Sequence, residues 1–435
     1  MLSPGARARL RIGTRAALAA AVALTTVALG VDRMGARQPP GLFVLLGCGA
    51  VAAAAIPEGR RVIAIATGLM ALVLLNPVFS LYFGLLVLGL ALARQRHGAL
   101  FAVILVAGAI VLPKTAFARH YHEPGYWNWL NEPSLALALF AGALWWRARS
   151  RQATLPPAPP VEDVGGFLLL FFAPAQAAYP MAFSPRTLAK HAPPASGDAI
   201  DLRGLGEQLG WFVAKVAALA ALRAHAPFGF LRSLEAGTDI TRVPRLDLWG
   251  MVMGSYVELY LALAASADVP ILIARLYGWS LPSPFRAALL AWSPVELWRR
   301  WGIYNRQILL QLVYFPLGGG KRQRTSNVLL TFLASALVLH SGWFGSKYWT
   351  VGYGGWRDET IYFLLQGLAV CVCLAFTTSD EALAAAPRPV RALWPKRAAG
   401  VVATQTWSAL VHVVVLAQGI DLATRGRLIA RCLGF

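Results

Sequence analysis

Long apolar runs separated by short charged loops constrain the fold of this chain more than any other sequence feature. Residues 100–112, 328–339 and 362–376 are examples. A helix of about 20 apolar residues crosses a bilayer, whereas a membrane β-barrel shows alternating segments instead of solid apolar blocks. Because 57% of the 435 residues are apolar, the sequence predicts an all-α polytopic membrane protein of roughly 10 to 13 transmembrane or half-spanning helices.

The net charge of +20 would suit nucleic acid only if it lay on one soluble face. Lys and Arg instead lie in short loops between apolar runs, as in proteins oriented by the positive-inside rule. If each of the first six apolar runs crosses the membrane, eleven arginines lie in loops on one side of it (residues 7–15, 60–61, 94–96 and 147–151). Four Lys or Arg lie in loops on the other side (residues 33–37 and 114–119). We predict a cytoplasmic N-terminus and no nucleic-acid partner.

The positions of the prolines and the lengths of the apolar runs divide the chain into predicted regions. Four prolines between 156 and 160 cannot lie inside a helix and form a stiff connector. We predict N-terminal membrane helices over 1–155, the connector over 156–163, a core with a reaction cavity over 164–423, and a C-terminal tail over 424–435. The core has short, broken apolar segments, which are tolerated at membrane depth only where they pack in protein or line a water-filled cavity.

Two histidines lie deep in apolar segments, His340 and His412. An ionisable residue inside a membrane span suggests function. His340 precedes Ser341 and a glycine, and its neutral imidazole could accept a proton at physiological pH. For His412 we favour a neutral ring hydrogen-bonded to a neighbouring helix, with a functional role as the alternative. The loop 120–123 carries metal-ligand types at an unsuitable spacing, so we predict no metal site.

A cationic and aromatic stretch precedes His340. It comprises Trp298, Arg299, Arg300, Trp301 and Arg306. We interpret it as a helix start at a membrane interface that binds a phosphate-bearing donor through guanidinium groups. Anchoring to lipid headgroups is the alternative.

The order of these motifs resembles the membrane-bound O-acyltransferase family, above all its bacterial branch that O-acylates polysaccharides and teichoic acids. The motifs are Ser293-Pro294, Leu-Trp-Arg-Arg-Trp at 297–301, Tyr-Phe-Pro-Leu-Gly-Gly-Gly-Lys-Arg at 314–322, and the run from Thr331 to His340. Residues 267–278 and 171–181 resemble two further family stretches. The resemblance covers about residues 164–376 and is specific over 267–345.

The resemblance implies a membrane O-acyltransferase in a bacterial cytoplasmic (inner) membrane. It would move an acyl group, acetyl or another short chain, from acyl-CoA or an acyl-carrier protein to a hydroxyl of an extracytoplasmic glycan or lipid. His340 would be the general base, with the cationic and aromatic stretch and Ser341 binding substrate. By this resemblance, the protein would hold no tightly bound cofactor. Membrane lipids and an extracytoplasmic transferase or carrier protein are the further partners.

One position departs from the family pattern. Gly302 stands where the family usually has His or Asn, the second polar residue of the reaction centre. Asn305 lies one helical turn further and is our candidate for that catalytic role. A backbone or water substitute, or altered or lost catalysis, are the alternatives. A conduit, a scaffold or a transporter therefore competes with the enzyme.

Overall fold

The computed structural model describes residues 201–225, 237–315, 317–321, 323–336, 356–376, 394–417 and 420–435. It also describes positions 191, 231 and 234 and scattered positions between 45 and 70. This part of the chain is helical and contains no strand, so the prediction of an all-α protein is confirmed. The connector at 156–163 and most of residues 1–155 lie outside the described residues.

Eight α-helices are assigned in order within the described ranges. They are α1 Leu202–Ala224, α2 Arg245–Leu276, α3 Pro294–Arg300, α4 Ile303–Leu309, α5 Arg324–Ala334, α6 Trp356–Ala375, α7 Trp394–Leu416 and α8 Leu422–Leu433. A 3-10 turn, Ala288–Leu290, precedes α3, and a π-helical turn, Leu310–Tyr314, extends α4. The predicted boundary between core and tail, at 423/424, falls inside α8.

Four of these helices are long and apolar enough to cross a membrane. The candidate spans are Arg203–Ala224, Arg245–Leu276, Asp358–Ala375 and Arg397–Leu416. Each coincides with an apolar stretch of the sequence, and together they identify an integral membrane protein. The short helices α3, α4 and α5 lie between the second and third spans in the chain.

The described residues fall into two compact units. The first contains residues 201–214 and 265–283 with the positions described near the N-terminus. In it the buried carboxylate of Asp268 accepts a hydrogen bond from Ser283 at 2.9 Å, and Arg275 lies 3.6 Å from Asp201. The first contact holds α2 beside the chain that follows it, and the second holds the end of α2 beside the start of α1.

The second unit contains residues 215–264 and every described residue from 284 onward. In it α6 packs against α5 and α7. The start of α6 lies beside the end of α7, because Arg425 donates hydrogen bonds both to Asp358 and to the carbonyl oxygen of Val414. The two helices therefore run antiparallel. Within this second unit, Glu258 of α2 forms a 2.8 Å ion pair with Arg223 of α1.

A glycine-rich turn joins the π-helical end of α4 to α5. Gly318 and Gly319 have φ angles of 104° and 58°, in the region that favours glycine. The buried amide of Asn327 donates hydrogen bonds to the carbonyl oxygens of Leu317 at 3.2 Å and Gly319 at 2.8 Å. One α5 side chain therefore fixes the turn that the family-like motif places before His340.

Candidate active site

Helix α3 carries the first part of the cationic and aromatic stretch. It begins with two residues that are typical of a helix N-terminus. Ser293 is its N-cap and accepts a hydrogen bond from the backbone N–H of Glu296 at 3.2 Å, and Pro294 occupies the first helical position. The carboxylate of Glu296 is 2% exposed. It accepts hydrogen bonds from Arg299 at 3.0 Å and Arg300 at 2.9 Å. Two buried cations therefore share one buried anion.

Arg300 also fixes the chain on the other side of this cluster. Its guanidinium donates to the carbonyl oxygen of Arg286 at 3.1 Å, and its own carbonyl oxygen accepts from the N–H of Arg286 at 2.9 Å. Arg299 and Arg300 lie in the last turn of α3, so their predicted placement at a helix start was wrong. Their binding to a donor phosphate stays a prediction.

The turn between α3 and α4 depends on Gly302. Its φ and ψ are 58° and 53°, in the left-handed region, and it is the N-cap of α4. The N–H of Ile303 donates to the carbonyl oxygen of Pro284 at 3.1 Å, which fixes the turn. A Cβ at position 302 would meet no atom within 4 Å. Asn305, the candidate for the second catalytic position, is the third residue of α4 and is half-buried.

Trp301 lies inside a shell of aromatic rings. The rings of Tyr260 and Phe285 each lie 5.5 Å from it, centroid to centroid, and Tyr256 stacks at 6.2 Å with an interplanar angle of 9°. His412 lies at 5.8 Å. Offset and tilted pairs at these distances are favourable beyond the apolar area they bury. The second tryptophan of the motif is therefore a packed side chain of the second unit.

His412 is buried in this shell and fully hydrogen-bonded. Its Nδ1 lies 2.6 Å from the carbonyl oxygen of Ser408, and its Nε2 lies 2.9 Å from the hydroxyl of Tyr362. A carbonyl oxygen only accepts, so the network assigns the hydrogen to Nδ1 and makes Nε2 the acceptor for Tyr362. This geometry confirms the expected hydrogen bond to a neighbouring helix, and the neutral state of the ring stays a prediction.

A second buried amide ties α7 to the 3-10 turn. Gln405 accepts a hydrogen bond from Tyr256 at 2.7 Å and donates to the carbonyl oxygens of Ala288 at 3.1 Å and Ala291 at 3.2 Å. Tyr260 in turn accepts from the N–H of Ala288 at 3.3 Å. The aromatic shell and the polar network thus share the same tyrosines of α2.

The remaining members of the stretch lie on the other side of α3 and on α4. The ring of Trp298 lies 5.1 Å from Phe332 of α5 and 5.8 Å from Phe363 of α6. Arg306, in the last turn of α4, lies outside the four candidate spans. Burial, and then the charges of Arg299 and Arg286, lower its pKa to about 10, so it stays protonated at neutral pH.

The predicted base and its neighbour, His340 and Ser341, lie outside the described residues. The description of this segment ends at residue 336, two residues after α5. The structure therefore places Trp298, Trp301, Arg299, Arg300, Asn305 and Arg306 in one unit, and the assignment of His340 stays a prediction.

Sequence reasoning missed three residues of this region, Glu296, Gln405 and Tyr256. Glu296 had a readable signal, since Ser-Pro-Val-Glu has the spacing of a helix N-terminus with an acidic third residue. Gln405 and Tyr256 had none, because their partners lie more than 100 residues away in the chain.

The chain is similar to several known proteins over part of its length. No family model matches the chain. Over 167 residues, 38% of the chain, it is 27% identical to a peptidoglycan O-acetyltransferase of Helicobacter pylori. Over 114 residues, 26% of the chain, it is 26% identical to a probable alginate O-acetylase of Pseudomonas putida. These relatives belong to the membrane-bound O-acyltransferase family.

A mammalian relative is named for a different acyl group and a different acceptor. The chain is 25% identical over 170 residues, 39% of its length, to a protein-cysteine N-palmitoyltransferase of Mus musculus. The matched regions cover 28%, 22% and 31% of these three relatives, so the chain matches less than a third of each. The three names share acyl transfer and differ in acyl group and acceptor.

Proposed function

We propose that this protein is a membrane O-acyltransferase that transfers an acyl group from a thioester to a hydroxyl. The similarity to the two O-acetylating relatives carries this proposal. The motif order from Ser293 to His340 supports it, as does the burial of that motif's described part in one packed unit.

The donor in this proposal is acyl-CoA or an acyl-carrier protein, and the group transferred is acetyl or another short chain. Acetyl is favoured because two relatives are named for O-acetylation, although the palmitoyl-transferring relative uses a long chain. The acceptor is a hydroxyl of an extracytoplasmic glycan or lipid, since one relative is named for peptidoglycan and another for alginate. Delivery by an extracytoplasmic transferase or carrier protein belongs to the same proposal.

The reaction needs a base and a stabilised oxyanion. His340 takes the proton from the acceptor hydroxyl, and the resulting oxygen attacks the thioester carbonyl. The C–O bond forms, the C–S bond breaks, and the thiolate leaves with the proton that His340 held. Hydrogen-bond donors aimed at the carbonyl oxygen stabilise the intermediate charge. No serine or cysteine nucleophile is needed if transfer is direct.

We assign catalytic and substrate-binding roles to the described residues of the motif from their positions in the chain. Asn305 is proposed as the second polar group, because the third residue of a helix lies close to its N-cap, where the family carries His or Asn. Arg306 supplies a positive charge near neutral pH for a phosphate of the donor. Trp298, Arg299, Arg300, Trp301 and Ser341 complete the proposed substrate-binding set.

The proposed location is a bacterial cytoplasmic (inner) membrane with the N-terminus in the cytoplasm. Thioester donors are cytoplasmic, whereas the acceptor lies outside, so a multi-span protein suits the reaction. A family member that has lost catalysis and acts as a conduit is the second candidate. Gly302 favours it, because glycine lacks the side chain that the family usually presents there.

Mass spectrometry of the cell envelope tests the proposed function. Glycans and lipids from cells with and without this protein should differ by ester-linked acyl groups, which alkali removes. The mass difference identifies the acyl group, and fragmentation identifies the acceptor. Identical acylation in both strains would contradict the enzymatic proposal and favour the conduit.

A further inference from the structure

A cavity of about 870 Å³ lies between helix α8 and the loop that precedes α2. The loop 237–241 forms one wall, and α8 with the residues on either side of it forms the other. Both walls belong to the second unit. The volume lies within the range of small-molecule sites. The described residues that line the cavity are outside both the family-like motif and the residue set of the proposed reaction.

Hydrogen bonds hold the end of helix α8 beside the start of α2. The carbonyl oxygen of Cys432, in the last turn of α8, accepts from Arg245 at 3.0 and 2.9 Å and from the indole N–H of Trp249 at 3.0 Å. Arg431 donates to the carbonyl oxygen of Val243 at 2.8 Å. The two walls of the cavity are therefore tied to each other.

The cavity lies next to the ends of two candidate membrane spans. One span ends at Leu416 and another begins at Arg245. Ile420 is four residues beyond the first of these ends, and Thr241 is four residues before the second. Trp249, which bonds to α8, is of a residue type enriched at membrane–water interfaces. The cavity therefore lies at the depth of lipid headgroups.

Charged side chains of both signs line this cavity. Arg427 and Arg431 are four residues apart in α8, so they lie on one face of the helix. Asp421 is the N-cap of the same helix, and Asp239 lies on the opposite wall. Two guanidinium groups and two carboxyl groups therefore border one space.

Both aspartates are ionised at neutral pH. The hydroxyl and the backbone N–H of Thr241 donate to Asp239 at 2.5 and 3.0 Å, and these bonds lower the pKa of its carboxyl. The hydroxyl and the N–H of Thr424 donate to Asp421 at 2.6 and 3.0 Å and lower its pKa in the same way. The lining thus presents full negative charges beside the arginines.

This combination selects a ligand that carries both charges. A phosphate alone would bind Arg427 and Arg431 but would be repelled by the two carboxylates. A cation alone would meet the opposite conflict. A phosphate joined to a primary ammonium satisfies both pairs, because the ammonium N–H groups donate to carboxylate oxygens.

Exposed apolar side chains near the cavity favour a lipid over a soluble zwitterion. Phe435, which lines the cavity, is 92% exposed, and Leu433 is 50% exposed. Leu246, next to the Arg245 that bonds to α8, is 81% exposed. Apolar side chains at a membrane surface are stabilised by contact with acyl chains. The charged lining and this apolar rim together match a headgroup and its chains.

We propose that this cavity binds the headgroup of a phospholipid that carries a primary ammonium, as phosphatidylethanolamine does. The phosphate binds Arg427 and Arg431, and the ammonium binds Asp239 and Asp421. The acyl chains leave the cavity past Phe435. This lipid site goes beyond the proposed acyl transfer and does not depend on it.

The test uses the full-length protein in detergent and dioleoyl phospholipids, with binding measured by native mass spectrometry. Phosphatidylethanolamine should bind wild type at least about threefold more tightly than phosphatidylcholine, whose trimethylated ammonium cannot donate hydrogen bonds. It should also bind more tightly than phosphatidylglycerol, which has the phosphate and lacks the ammonium.

Variants separate the two halves of the site. Arg427→Gln should weaken binding of both phosphatidylethanolamine and phosphatidylglycerol at least about threefold. The double variant Asp239→Asn, Asp421→Asn keeps side-chain oxygens that can cap the backbone. It should weaken phosphatidylethanolamine and strengthen phosphatidylglycerol. The matched control is Arg203→Gln, because Arg203 is exposed on α1 and bonds to Glu207. It should bind as wild type does.

Several outcomes would overturn the lipid site. They are equal binding of phosphatidylethanolamine and phosphatidylcholine, tightest binding of phosphatidylglycerol by wild type, and equal effects of Arg427→Gln and Arg203→Gln. Soluble glycerophosphoethanolamine that binds as tightly as the lipid would show a soluble ligand instead. Variant melting temperatures in lipid-free detergent should match that of wild type. The wild-type preference for phosphatidylethanolamine decides the proposal even where a variant fails to fold.

Discussion

Tyr362 donates a hydrogen bond to Nε2 of His412 across 2.9 Å, while Nδ1 of the same ring donates to the carbonyl oxygen of Ser408. This pair joins α6 to α7 in the buried centre of the second unit. The imidazole lies 4.8 Å from Tyr256 and 5.8 Å from Trp301, centroid to centroid. A histidine that resembles a catalytic residue in the sequence is therefore a packing element of the fold.

We expect the two residues to be energetically coupled. Tyr362→Phe leaves Nε2 of His412 without its donor, which should lower the free energy of unfolding by about 1–3 kcal/mol. His412→Leu should also be destabilising, and the double variant should lose about 1 kcal/mol less than the sum of the two. Denaturant titration in mixed micelles measures all four proteins. Strict additivity would contradict the hydrogen bond.

The conformation of Gly302 leads to a second prediction. At φ 58° an alanine is strained, so Gly302→Ala should lower stability by about 1–2 kcal/mol even though its Cβ meets no atom within 4 Å. Asparagine visits this region more readily, so Gly302→Asn should be less destabilising. It should also preserve or raise acyl transfer, because the family usually carries His or Asn there. Severe loss of transfer by a folded Gly302→Asn protein would show that the pocket needs glycine.

Gly302 also illustrates how far the sequence could predict the site. The motif comparison identified Gly302 only by its residue type, which differs from that of the family. It treated Gly302 and Asn305 as one helical face, whereas Gly302 precedes α4 in a left-handed conformation. Backbone angles at a helix boundary depend on tertiary bonds such as that from Ile303 to Pro284, which spacing does not reveal.

The fold was more predictable than the polar interior. Apolar runs near 248–278, 360–376 and 399–420 correspond to α2, α6 and α7, because a helix that crosses a membrane needs a long apolar run. The pairing of Glu296 with Arg299 and Arg300 was not predicted, since charged residues near an apolar run were expected at an interface. In the structure these three side chains are buried.

Glu296 should therefore contribute strongly to stability. Glu296→Gln leaves two buried guanidinium groups without a compensating charge, and we expect a loss of about 3–5 kcal/mol. Glu207 is the matched control, because its ion pair with Arg203 is exposed on α1. Glu207→Gln should change stability by less than about 1 kcal/mol. Equal effects of the two substitutions in the same unfolding assay would contradict the role of Glu296.

Gly400 tests the packing of α7 against the chain before α3. A Cβ at this position would lie 2.6 Å from the carbonyl oxygen of Trp292, a backbone atom that cannot move aside. Gly400→Ala should destabilise by about 1–3 kcal/mol. Gly210 lies in α1 with no atom within 4 Å of an added Cβ, so Gly210→Ala should stabilise by about 0.5–1 kcal/mol. A tolerated alanine at 400 would show that α7 is not held against Trp292.

Acetyl transfer by His340→Ala tests whether His340 is the general base. Membrane vesicles containing wild type or the variant receive labelled acetyl-CoA and envelope glycan, and alkali-labile label on the glycan is counted. If His340 is the general base, His340→Ala should lower the rate by about 10²–10⁴-fold, the range for loss of a general base, with unchanged expression and melting temperature. A wild-type rate in the variant would contradict it.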